Sequence, residues 1–421
     1  MSAPDFIHRL REDFDAAAAR LPAAVVPAAA RRAAVDRLVA LGLPGLRDDA
    51  WRYADLRPLR SAALRPAANE VLTAGTLPAL PAAIAGSQRL VFVDGRLDAA
   101  ASTPVDDTLL RPLGAPAAGA ERSGETRFAL LNDAFALDAA RFAVHGDGVL
   151  ELVFVASDAA GASYPRVQLE LVPGARLTLV ERHVGTGAAT LSSAVAELAL
   201  GRDALCRWYR LQDLAGDATH LEALRARLDA GATLEAVMLQ LGGGAVRTTF
   251  DCDLYGRGAS LQLHAASLAG GARTQDGAIT VRHLAPETRS QQELRAIASG
   301  RAGIAFRSAV CVGRDATGAD SRQSLKGLIG GDGAEVNLRP ELEIDVDSVR
   351  ASHGATTGAI DEGMLFYLLS RGLDRDTARQ LLEWAFIEAV IGGVGDGALR
   401  REFEERTVAH LGNRAALEVL A

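Results

Sequence analysis

The spacing of apolar residues changes twice along the chain. In residues 1–60 they recur at helical intervals, as Ala33, Leu38 and Leu41 do within RRAAVDRLVALG, and Gly42 with Pro44 then supplies a stop. Residues 61–115 are rich in Pro and Ala and read as a connector with a first strand at 89–93, turning at Asp94 and Gly95. From about 140 to 350 the period falls to two: segments 149–155, 166–172 and 176–181 alternate or are rich in Val and Leu, and tight turns such as Pro173-Gly174 separate them. At Asp361 the helical period returns. Asp361 caps a helix through Leu365, Phe366 and Leu369 that Gly372 stops, Asp374 opens a second helix, and a third spans 398–411. The second contains LLEWAFIEAVI, residues 381–391, where only Glu383 and Glu388 are polar. A ring so nearly closed must be buried on several sides, by its own domain or by a partner.

Within the β region a short signature repeats: Gly174-Ala-Arg-Leu177, Gly201-Arg-Asp-Ala-Leu205, Gly231-Ala-Thr-Leu234 and Gly258-Ala-Ser-Leu261, with a weaker echo at Gly333-Ala-Glu-Val336. The first four glycines are separated by steps of 27, 30 and 27 residues. Such a step suggests stacked coils, each with its glycine at a corner that needs φ > 0 and its leucine inside. An antiparallel sandwich fits parts of the same region, although its turns recur about every 8–12 residues. Either way the chain is mainly β with helical ends: a helical region and connector at 1–115, a β core at 116–350 and a helical region at 351–421.

At 421 residues the chain exceeds one compact core, so two or three units or one elongated body are expected. With 45 basic against 53 acidic residues and no basic stripe, nucleic acid is not an expected partner. Charges near the start, where a signal peptide needs an apolar run, and the absence of a long apolar stretch point away from a membrane and to the cytoplasm. Cys206, Cys252 and Cys311 are odd in number and far apart, so no disulfide framework is expected; each reads as a small buried hydrophobe. No CxxC pair and no GxxxxGK[ST] loop occur, so neither a local cluster site nor ATP hydrolysis is expected. Residues 330–333 and 242–244 are glycine turns rather than phosphate cradles. The histidines show no HExxH or HxH spacing. Glu341, Glu343, Asp345 and Asp347 share one face of a strand. That face is either solvated or an acidic row like those of polysaccharide-acting enzymes. The latter reading, a stand-alone polysaccharide-active enzyme, also requires an export signal and an aromatic-lined groove, and aromatics make up only 5% of the chain.

Three longer motifs carry a resemblance. Residues 49–56 (DAWRYADL), 128–135 (FALLNDAF) and 339–372 (RPELEIDVDSVRASHGATTGAIDEGMLFYLLSRG) are similar, in this order, to runs of the SufD family. The resemblance implies a right-handed parallel β-helix between helical ends. It implies a non-enzymatic scaffold subunit of a SufBCD complex that assembles nascent iron–sulfur clusters and supports their transfer to apo-proteins. Sulfur would come from a cysteine desulfurase with its SufE-type carrier. SufB would pair through the β cores, the SufC ATPase would bind the C-terminal helices, and isolated chains could form homodimers. No cofactor would be tightly bound by the chain alone, with a cluster possible at the SufB interface. His353, placed by the SHGAT motif after a β strand and among small residues, is the implied interface residue and a possible metal ligand shared with SufB. Two departures matter. Ala351 stands where many of the family have cysteine, and Ser324 and Gly333 stand near cysteine positions of SufB, so this region cannot hold a cluster with cysteines.

Overall fold

The computed structural model describes residues 4–45, 48, 51–60, 62–66, 79–114, 126–157, 161–185 and 191–412. Asp49 and Ala50 of the DAWRYADL motif and parts of the connector lie outside them. Among the described residues six α-helices, α1 (Pro4–Ala17), α2 (Ala28–Leu41), α3 (Arg127–Phe135), α4 (Glu362–Ser370), α5 (Arg375–Ile391) and α6 (Gly397–Leu411), flank or cover two long sheets.

The chain alternates between the sheets. Strand Arg176–Gly185 lies in one, Leu191–Leu200 in the other, and Leu205–Asp213 returns to the first, parallel to and in register with Arg176–Gly185. This alternation continues to strand Val349–Gly358. Among the described residues antiparallel pairs occur only at the start, where Arg96–Leu97 meets Gln88–Val93 and Leu110–Pro112 meets Ala140–Val144. From Arg166–Leu171 onward each strand pairs in parallel with the next strand but one, which defines a β-solenoid and decides against the sandwich. The solenoid also runs past the expected limits of 116–350. It takes in Gln88–Val93, paired with Asp147–Ala156, and closes with Val349–Gly358, paired with Ala319–Gly330.

The corners correct the repeat. At one line of corners, just before the strands of the first sheet, the left-handed residues are Gly174 (φ 76°), Asp203 (57°), Gly231 (68°), Gly258 (71°), Glu287 (58°) and Gly318 (78°). Leu177, Cys206, Leu234 and Leu261 follow them in one register row, and all four are buried in the lumen. Gly201 is therefore not the corner of its coil. Asp203 is, since its short polar side chain tolerates this conformation. Cys206 takes the inner place, while Leu205 is only half-buried.

The helical ends pack on outer faces. Phe6, Leu10, Phe14, Leu38, Phe128 and Phe135 of α1–α3 form a second core against Tyr164, Leu191 and Leu221. Trp51 lies against Phe128, with ring centroids 5.2 Å apart, and under the guanidinium of Arg247 at 4.1 Å. At the other end, Ile387, Val390, Ile391 and Phe403 of α5 and α6 cover Tyr209, Leu211, Val237 and Leu239 of the first sheet. The 381–391 segment is thus buried on one side by its own sheet rather than on several sides. Leu381, Trp384 and Phe386 stay half-buried and Ala385 exposed. The caps lie where the sequence places them: Asp361 accepts from Met364 N at 2.8 Å and Asp374 from Thr377 N at 3.0 Å.

Candidate functional site

The last coil consists of two strands, Glu335–Ile344 and Val349–Gly358, one in each sheet. Each is paired on one side only, with Gly303–Val312 and Ala319–Gly330 respectively. Their outer edges have no strand beside them among the described residues, so both sheets end open at the same place. Natural edge strands are normally blunted or covered, because free N–H and C=O groups recruit another strand.

His353 sits in the middle of Val349–Gly358, not after a strand as the sequence suggested. Val349, Ala351, His353, Ala355 and Thr357 stack in register on Ala319, Ser321, Gln323, Leu325 and Gly327. Ala319, Ser321, Gln323 and Leu325 are buried luminal residues, so His353 belongs to the inward row. It is nevertheless exposed, because a luminal position is covered only by the coil that follows. Around the opening, Leu338, Leu342, Val346 and Val349 are partly buried against the core, and Ile344 is 41% exposed. The open end is therefore an apolar rim with an imidazole in it. Beneath His353 the lumen becomes polar: Gln323 Nε2 donates to the Ser308 carbonyl at 2.9 Å, and Ser308 Oγ donates to Gln292 Oε1 at 2.5 Å.

A second polar cluster lies deep in the lumen around His183 and His220. Arg210 donates to Glu181 at 3.2 Å and to Glu222 at 2.9 Å, and Trp208 Nε1 donates to Glu181 at 3.0 Å. His183 Nε2 lies 2.6 Å from Glu181, and His220 contacts Glu222. Burial pushes both carboxyls up, but Arg210 and the histidines outweigh it and hold them below the usual range. Burial pulls His183 down to about 4. The signal was present in the alternation Leu177, Leu179, Glu181, His183, where charged residues take inward places.

Cys206 and Cys252 are fully buried, and burial pushes the Cys206 thiol up to about 12, which leaves it unreactive. Cys311 departs from the expected buried hydrophobe: it is half-buried, with Sγ 3.7 Å from Glu343. The acidic row is also broken up. Glu341 is paired with Arg307 and with Arg339, while Asp345 and Asp347 lie beyond the strand. Among the described residues no group of three or more His, Cys, Asp or Glu could hold a metal ion. The last coil, residues 335–358, carries one histidine, His353, and no cysteine. Elsewhere, α4 leaves Met364, Phe366 and Tyr367 exposed at 61%, 72% and 56%. No helix among the described residues is long and apolar enough to cross a membrane.

Comparison with known protein sequences gives relatives of one family. The iron–sulfur cluster assembly protein SufD of Escherichia coli (strain K12) is 26% identical over 398 residues, covering 90% of this chain and 91% of that protein. The iron–sulfur cluster assembly protein SufB of Bacillus subtilis (strain 168) is 30% identical over 199 residues, 47% of this chain and 43% of its own length. A SufBD family protein of Mycobacterium bovis is 29% identical over 201 residues, 48% of this chain and 24% of its own. The family described as SUF system FeS cluster assembly, SufBD core domain, matches residues 154–386, just over half of the chain, and the chain belongs to that family.

Proposed function

We propose that this chain is a SufD-type scaffold subunit, pairing end to end with a SufB-type β-solenoid in a cytoplasmic SufBCD-type complex. The complex builds nascent iron–sulfur clusters and supports their transfer to apo-proteins. The observation that carries the reading is the uncovered last coil, where two free strand edges, an apolar rim and His353 come together. A second solenoid end supplies the missing coil, pairs both edges and buries the imidazole at the junction. In isolation two copies of this chain can meet through the same end. The near full-length match to a SufD protein favours SufD over SufB, as does the absence of cysteine from residues 335–358 of the last coil.

The cluster is cargo rather than a resident cofactor. His353 supplies one neutral imidazole, a suitable ligand for iron, and the partner supplies the remaining donors. The chain itself turns over no substrate and hydrolyses no ATP, since it carries no phosphate loop. The exposed apolar side chains of α4 form the contact for the SufC ATPase, with α5 and α6 as the support that holds α4 in place.

The test replaces His353 with Ala, reconstitutes the three-protein complex and measures cluster content. Intact assembly with impaired cluster formation is expected. A normal cluster yield would overturn the role of His353, and loss of the complex would assign it to structure instead.

A further inference from the structure

We propose that Gln323 is a positioning residue for His353. Its side-chain oxygen accepts a hydrogen bond from one ring N–H of His353, which selects the tautomer and leaves the other ring nitrogen's lone pair facing the open end. This deepens the reading of His353 given above and rests on it for its consequence in assembly.

The orientation of Gln323 follows from chemistry. Its Nε2 lies 2.9 Å from the carbonyl oxygen of Ser308 and 2.9 Å from Ser308 Oγ. A carbonyl oxygen only accepts, so the amide nitrogen must be on that side. Ser308 Oγ directs its proton to Gln292 Oε1 at 2.5 Å and so accepts from Gln323. The run of donors therefore has one direction and leaves Gln323 Oε1 buried with no partner among the described residues, in a side chain only 4% exposed. A buried acceptor without a donor bears a desolvation cost that any donor within reach would relieve.

Two residues flank Gln323 in register, Gln292 on the inner side and His353 on the open side. Gln292 Nε2 is also buried and unpartnered, but Ser308 pins both amides and Gln292 Nε2 does not reach the oxygen. His353 is exposed, shares the inward row, and stands on an adjacent strand about 4.8 Å away. No hydrogen bond joins the two in this structure, so forming it takes a turn of the imidazole about its own side-chain bonds. A neutral imidazole has one donor and one acceptor. A donor committed to Gln323 therefore presents the bare nitrogen outward, as second-shell acceptors do for histidines that bind metals.

The experiment is ring ¹⁵N NMR of the full chain labelled at histidine, at about pH 8.5 where an ordinary imidazole is neutral. The His353 resonances are assigned by their loss in His353→Gln. The wild-type tautomer ratio should differ from that of a blocked histidine peptide by roughly fivefold, as one hydrogen bond of ordinary strength dictates. Gln323→Met should return the ratio to the peptide value, and Gln323→Glu, which keeps an acceptor oxygen, should restore the preference. A wild-type ratio equal to the peptide's overturns the proposal, whether or not the variants fold, as does a ratio unchanged in Gln323→Met. If the ratios behave as expected while His353→Ala complexes still yield clusters normally, the bond stands and the assembly role of His353 is what fails.

Discussion

Arg182 grips Glu402 with two hydrogen bonds, of 2.8 and 2.6 Å, and directs a further donor to Glu151 at 2.6 Å. Arg182 lies on the outer face of strand Arg176–Gly185 and Glu402 on α6, so one guanidinium, 1% exposed, ties the C-terminal helix to the sheet it covers. Glu402→Ala strands that cation without two of its three hydrogen bonds and should cost about 2 kcal/mol. Denaturant unfolding would measure it. A loss below about 0.5 kcal/mol, the usual scale of a surface change, would mean that the apolar layer under α6 suffices alone.

Mild acid should destabilise the protein through its buried histidines. Burial pulls His183 and His283 down to about 4 in the folded state. In the unfolded chain both titrate near about 6.5, so between these values the unfolded state binds more protons. Stability is therefore complete above about 6.5 and falls as the pH drops toward 4, by an amount of order 3 kcal/mol for each histidine. Unfolding midpoints at pH 7 and pH 5 should differ in that direction, and His283→Gln should reduce the difference. An equal slope in that variant would shift the effect to other groups.

Two neighbouring glycines should respond differently to alanine. At Gly256 a Cβ would stand 1.9 Å from the backbone nitrogen of Ala230, where nothing can yield, so Gly256→Ala should distort the coil and give a largely insoluble or unfolded product. At Gly258 the space is open and only φ, at 71°, resists, so Gly258→Ala should fold and lose about 1 kcal/mol. Comparable losses at the two sites would refute the steric distinction.

The ATPase contact proposed for α4 is best probed without truncation. Removing residues 361–421 would uncover Leu211, Val237, Leu239 and Leu268, an apolar sheet face now covered by α5 and α6, and aggregation is the expected result. Phe366, 72% exposed, can be replaced with little effect on folding. Phe366→Glu should change stability by no more than about 0.5 kcal/mol while abolishing co-purification with a SufC ATPase. Undiminished co-purification would place the contact elsewhere.

The sequence by itself determined the elements and their order. The change of period from 3.6 to 2 and back marked helices and strands, and the caps Asp361 and Asp374, the stop at Gly42 and the third C-terminal helix all occur where local chemistry put them. These features depend on residues within one or two turns of each other, which is why a linear reading reaches them. The coil register was only partly legible. Gly174, Gly231 and Gly258 are corners, but Asp203 and Glu287 hold the same left-handed place without being glycine, and the signature slipped by two residues at Gly201. Local sequence marks a corner only when it favours glycine, whereas stacking enforces one wherever the coil must turn. What only the tertiary structure decided is the surroundings of each side chain. Arg210 meets Glu181, His183 and Glu222 because coiling brings together positions 12 to 29 residues apart. His353 lies in an inward row yet is exposed for the same reason: a luminal residue is buried by the coil above it, and the chain ends its solenoid one coil short of covering this one.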